Sequence, residues 1–398
     1  MLKKINRCDI YIIITFLYSM QGLLYPQGII NQLLQFAQIA IAGVETLNLL
    51  TKRMQSPILK ITFLMVLMYC MYGLWIIVSD PIIVYSDGHR ARNFPYLQKS
   101  LRSLLPIFMF YYYTRIGLLK EKRIRIYAMF FLVMSFKSFF QNKTFALEEY
   151  GREESTNNAA YSFVNLIPTV YFFRKKPILQ YILLGVLGVF ILMGMKRGAI
   201  LIGGFSILIF MYSNLKGTSL KNKIITFTLA IGFIIGTVYF VEYMLQTNDY
   251  FIYRIEETVE GDSSNRNVIY ASLWDIFINT SNPLHIIFGY GANATIDLIG
   301  IEAHNDWLET LINNGLIGGV ILLFFFIILA KTVYKQRNRF PSYMYYSFII
   351  LVFIIFSKTI FSMSIQSIGG MHSLLLGYFA YWSTQPKGEV QNLINDKR

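Results

Sequence analysis

The chain has 398 residues, of which 55% are hydrophobic, 16% aromatic and only 15% charged, against roughly 25% charged in an ordinary soluble domain. This excludes a water-soluble globular enzyme and describes a single integral membrane domain over 1–398, because runs long enough for a helix to cross about 30 Å of hydrocarbon recur along the whole length. The net charge of +14 raises nucleic acid as a partner, a question that the placement of the charges decides.

In chain order, basic "KKINR" precedes the apolar "DIYIIITFLYSMQGLLY". The pair resembles a signal peptide but lacks a small-residue cleavage site and is followed by more spans, so a retained first helix is expected. Apolar windows bounded by charge or turn residues predict twelve membrane helices, near 9–25, 28–50, 58–79, 101–119, 126–141, 159–173, 178–194, 199–213, 224–245, 306–333, 342–360 and 367–382. The predicted fold is an all-α polytopic transmembrane helix bundle. With the N- and C-termini cytoplasmic, 24 of the 36 Lys and Arg fall on the inner side, whereas 17 of the 22 Asp and Glu fall outside. That asymmetry is the positive-inside pattern, and it explains the basic charge without a polyanion. Cys8 and Cys70 have neither a disulfide framework nor metal-ligand spacing.

Two external segments are long, one near 80–100 and one over 246–305. The second exceeds the length at which a connection usually carries structure or function of its own. Within it "NVIYASLWDIFI" repeats its apolar residues at about 3.6, predicting a short amphipathic helix at the outer surface, and "NTSNPLHIIFGYGAN" reads as turns. Cations on the outer side break the charge rule. "MGMKRGAI" joins the seventh and eighth spans there and carries Lys196 and Arg197, followed by Gly198. Such a pair suits capture of a phosphate or pyrophosphate, since arginine offers a planar fork for two oxygens; snorkelling to lipid headgroups is the competing reading. Arg266 opens the loop helix, as a solvated arginine or as part of a cationic cavity with Arg90, Arg92, Lys137 and Lys358. The two lysines lie toward the outer ends of their spans, where snorkelling again competes.

The stretch "AHNDWLETLINNGLIGG", residues 303–319, sets an imidazole where the chain leaves water. Asn305 or Asp306 suits the N-cap of the tenth span, which puts His304 at the mouth of that helix, with Trp307 as an interfacial anchor. The positive end of the helix disfavours imidazolium, so the neutral form that accepts a proton is expected, and His304 is a candidate general base. An ordinary interfacial histidine is the plainer alternative. His89, His285 and His372 make no metal-ligand spacing with it. Gly315 and Gly319, four apart, predict a small-residue surface for close packing of a second helix.

"MKRGA", "NRNVIYASLW", "NPLHIIFGYGAN" and "AHNDWLETLINNGLIGG", in that order over 190–320, resemble the O-antigen ligase and Wzy-type O-antigen or capsule polymerase family of bacterial membrane proteins. Elsewhere the likeness is confined to about twelve spans and a large late outer loop. The resemblance implies a GT-C-like, metal-independent, inverting glycosyltransferase in the bacterial cytoplasmic membrane, active on its outer face. Undecaprenyl-pyrophosphate-linked oligosaccharide would be its donor, with no cofactor; a chain-length regulator and a flippase of the same pathway are implied partners. His304 then falls on the family's base, Arg197 and Arg266 on its pyrophosphate-binding arginines with Lys196 beside them, and Asn305 and Asp306 are supporting candidates. Lys196 departs from the serine common at that position. A repeat-unit polymerase is the leading expectation, a ligase delivering finished glycan to a lipid A core or other acceptor the alternative. A lipid-linked oligosaccharide flippase is the alternative of another class, opposed by the lack of a six-plus-six repeat. Glu148, Glu149 and Glu302 are further external carboxylates.

Overall fold

A computed structural model describes residues 5–26, 28–52, 54–79, 82–85, 88, 90–150, 156–216, 220–247, 249–259, 266–363, 365 and 370–390. Among the described residues the fold is all-α apart from one short hairpin, and helix occupies every one of the twelve predicted windows. Among them six helices are long and apolar enough to cross a membrane. Their exposed faces carry large apolar side chains such as Leu33, Leu64, Trp75 and Leu208, which makes a lipid bilayer their solvent and the chain a multi-pass membrane protein. The described residues divide into two compact units.

The first unit, 1–120, 264–339 and 355–398, opens with α1 (Arg7–Ser19), α2 (Ile29–Leu50) and α3 (Pro57–Ser79). Asn6 and Asp9 exchange side-chain and backbone bonds of 3.0 Å in a capping box that starts α1. A hairpin of β1 (Ile82–Val84) and β2 (Arg90–Arg92) follows, paired antiparallel with Ile83 opposite Ala91. α4 (Phe94–Arg115) lies at the centre of the unit, with Phe108, Phe110 and Tyr113 fully buried. It crosses the last helix at Gly377, where a Cβ would lie 2.6 Å from the Ile107 carbonyl oxygen, so only glycine admits this approach.

The second unit, 121–263 and 340–354, contains α5 (Glu121–Tyr150), α6 (Ala160–Val164), a 3-10 turn over Ile167–Phe173, α7 (Pro177–Met193), α8 (Arg197–Leu215), α9 (Leu220–Thr247) and α10 (Asp249–Val259). The predicted span at 159–173 is thus broken in two, with Pro168 opening the tighter second piece. Phe136, Phe139, Phe163 and Phe190 pack edge-on and stacked at 4.7–6.0 Å. Glu121, Arg174 and Tyr343 close one end: the guanidinium donates to the carboxylate at 3.1 Å and lies over the tyrosine ring.

The late loop returns to the first unit as α11 (Arg266–Ile278), α12 (Pro283–Phe288) and α13 (Ala294–Ile299), ahead of α14 (Asp306–Gln336), α15 (Ser342–Phe361) and α16 (Met371–Trp382). α11 is the predicted surface helix, but it is apolar on both sides: Leu273 and Phe277 are buried against Ala294, Ala303 and Ile312, while Val268 and Trp274 are exposed. The segment expected to be turns holds α12, whose Asn282 caps the Leu284 amide at 3.0 Å with Pro283 at the first helical position.

α14 departs most from expectation. Gly315 leaves helical geometry at φ 63°, ψ −161° and kinks the helix. The Ile312 and Asn313 carbonyls, which a straight helix would bond to Leu316 and Ile317, accept instead from the Tyr290 and Gly291 amides at 2.8 and 3.0 Å. A Cβ on Gly315 would lie 2.5 Å from the Gly289 nitrogen and the Ile287 carbonyl. Gly315 and Gly319 therefore do not form the predicted helix-packing surface. The first admits the end of α12 and the Gly289 backbone into the kink, and a Cβ on the second would meet only Leu311 at 3.7 Å. Irregular backbone is tolerated among membrane helices where protein groups satisfy it, as here.

Candidate functional site

The site is built on the turn that enters α14. Asn305 is the N-cap, in extended conformation, and its Oδ1 accepts from the Trp307 and Leu308 amides at 2.9 and 3.1 Å. His304 precedes it, half-buried, at φ 53°, a left-handed conformation uncommon outside glycine. Asp306, the other cap candidate, turns into the protein instead: it is 3% exposed, and its Oδ2 accepts the Ile365 amide at 3.0 Å. Trp307 is no free interfacial anchor. Its indole N–H donates to Thr359 at 3.0 Å and its ring stacks on Phe326.

Arg266, the first residue of α11, comes to the same place. Its Nη1 donates to the Phe361 carbonyl at 2.9 Å, while the Asn305 amide donates to the preceding carbonyl, Ile360, at 3.3 Å. Both carbonyls are on the last turn of α15, where a helix has no backbone partners left to offer and carries its partial negative charge. A cation is held there for that reason. The consequence is that the Arg266 guanidinium and the His304 corner, 38 positions apart in the sequence, converge on one helix end.

No family model and no curated protein matches this chain.

Beneath the corner lies a polar set of which the sequence marks Lys358 but not Glu309. Glu309, 6% exposed, accepts from the Thr295 hydroxyl at 2.7 Å, the Ala303 amide at 2.8 Å and the Asn313 side chain at 2.9 Å. Lys358 is 5% exposed, within electrostatic reach of Asp306 and of the fully buried His372. This corrects the expectation that Lys358 snorkels to the surface. Asn293 ties the loop to the start of α4 by donating to Asn93 at 2.8 Å.

Lys196 and Arg197 belong to the second unit. The connection between α7 and α8 turns through Gly194 and Met195, the latter at φ 48°, and Lys196 is the extended N-cap of α8, with Arg197 its first residue. Asn157 clamps this turn: its amide donates to the Gly194 carbonyl at 2.8 Å, and its side chain bonds the Phe139 carbonyl, Asn142 and the Ala159 amide. A Cβ on Gly194 would strike Ala160 at 2.6 Å, so the hairpin is seated tightly. Both cations are half-buried at the positive end of α8.

The structure thus assembles His304, Asn305, Asp306 and Arg266 at one corner, and pairs Lys196 with Arg197 at the head of α8. Arg90 and Arg92 are exposed on β2, Lys137 is half-buried in α5, Glu148 is exposed and Glu302 half-buried. His89 and the Glu149 side chain lie outside the described residues. An imidazole can remove a proton from a hydroxyl, and a guanidinium can bind phosphate oxygens.

Proposed function

We propose that the protein is a repeat-unit polymerase, moving a glycan from undecaprenyl pyrophosphate to the hydroxyl of another lipid-linked unit on the outer face of the membrane. The observation that supports this reading is the convergence of Arg266 and the His304 corner on the last two carbonyls of α15. The acceptor oxygen attacks the anomeric carbon, its proton passes to His304, and the bond from that carbon to the pyrophosphate oxygen breaks. One displacement inverts the anomeric centre. The departing pyrophosphate needs its charge balanced, a task assigned at this corner to Arg266. A metal is not required by this chemistry, and no carboxylate acts as nucleophile.

The test supplies purified protein in bilayer nanodiscs with an undecaprenyl-pyrophosphate-linked repeat and no added metal. Longer lipid-linked glycans, with release of undecaprenyl pyrophosphate, are expected. Transfer solely to an added lipid A core would make the protein a ligase. In vesicles, movement of the lipid-linked unit across the bilayer with no change in glycan length would replace the transferase by a transporter.

A further inference from the structure

His304 holds a left-handed backbone that a non-glycine residue keeps only when its surroundings impose it. Two side chains flank it. On the C-terminal side Asn305 caps α14 and reaches the Ile360 carbonyl. On the N-terminal side the Ala303 amide points inward and is taken by Glu309 Oε2 at 2.8 Å. Glu309 stands one turn into α14, so the carboxylate reaches back along its own helix to the residue before the histidine.

The other oxygen, Oε1, is engaged separately, by Thr295 at 2.7 Å and Asn313 at 2.9 Å. The carboxylate is nearly inaccessible, and no cation pairs with it among the described residues. Three neutral donors hold a buried negative charge, a costly arrangement that an apolar side chain would avoid. Its return is geometric: one carboxylate binds the 295–313 side and the Ala303 amide at once.

Resting on the proposed transferase reading, we infer that Glu309 is the positioning residue for His304, fixing through the Ala303 amide the point from which the imidazole reaches the acceptor hydroxyl. Glu309→Leu removes this bond, since an apolar side chain offers the Ala303 N–H no acceptor; Glu309→Gln would not, because a turned amide can still accept from Ala303 while donating to the Thr295 hydroxyl. Thr295→Val is the control, because it removes a bond to the same carboxylate on the side away from the histidine.

Glu309→Leu is expected to lower kcat about 10- to 100-fold, with the donor KM changed by less than about threefold, as a misplaced base does. Thr295→Val should stay within about threefold in both. Independently of turnover, the rate at which diethyl pyrocarbonate modifies His304, followed by peptide mass spectrometry, should change in Glu309→Leu and not in Thr295→Val. In the parent protein the Ala303 amide should exchange with deuterium as slowly as the body of α14. The inference is overturned by full kcat in Glu309→Leu, by equal losses in both variants, by one His304 modification rate in all three proteins, or by fast Ala303 exchange. Should the parent protein make no glycan, the transferase reading fails, while the modification and exchange measurements still decide the tether.

Discussion

Gly315 and Gly319 are four residues apart in α14, and replacing each by alanine should move stability in opposite directions. At 315 the methyl group meets two obstacles: φ 63° with ψ −161° is a backbone region open to glycine alone, and backbone atoms of Ile287 and Gly289 lie 2.5 Å from the new carbon. Relief requires either strain or expulsion of the 287–291 loop, which would release the Tyr290 and Gly291 bonds to α14. Strain, overpacking and two lost hydrogen bonds put the cost of Gly315→Ala at about 3–6 kcal/mol. At 319 the methyl meets only Leu311 at 3.7 Å, an ordinary contact, and the gain in helix propensity should stabilise by about 0.5–1 kcal/mol. The assay is heat challenge in detergent followed by fluorescence-detected size exclusion, with hydrogen exchange at Tyr290 and Gly291. A Gly315→Ala protein as heat-resistant as its parent, with both amides still protected, would refute the account of the kink.

His304→Ala should abolish glycan elongation while leaving expression, membrane insertion and heat resistance unchanged, as judged in nanodiscs; full elongation would remove the base from the mechanism. Arg197→Lys keeps the charge but loses the two-pronged guanidinium, so the donor KM should rise about tenfold in donor titrations, and an unchanged KM would favour contact with lipid headgroups. Asn305→Ala loses the α14 cap and the bond to Ile360, which should cost about 0.5–2 kcal/mol of stability in the heat challenge. Gly377→Ala should do greater damage than Asn305→Ala in the same assay, because its methyl would collide with the α4 backbone.

The helices were legible because burial in lipid demands long apolar runs, and those runs are visible wherever charges or turn residues end them. The Asn305 cap was legible for a local reason: a short polar side chain before an apolar run satisfies open amides two and three residues ahead. α12 was missed although Asn282 and Pro283 spell a helix start, since its six residues are too few to show a period. The kink was missed because a glycine pair spaced four apart has the same pattern whether it receives a helix or a loop; the partner decides, and Tyr290 and Gly291 are more than twenty positions away. Glu309 and Lys358 were misjudged or overlooked for a similar reason. Their burial depends on the Thr295 loop and the Asp306 turn, groups that periodicity does not bring together. Arg266 stands out in the sequence as a cation on the expected outer side, whereas its seat on the end of α15 follows from tertiary structure alone.

The repaired break in α14 divides the helix into two pieces with different needs. Beyond Gly315 the helix has 21 residues, about 32 Å at 1.5 Å each, enough to enter the bilayer by itself. The piece before it bears two carboxylates, Asp306 and Glu309, and ends on two carbonyls whose partners belong to a different segment. The Tyr290 and Gly291 amides take the place that water or a continuing helix would otherwise fill at those carbonyls, so the helix that carries the histidine corner depends for its shape on a segment outside itself.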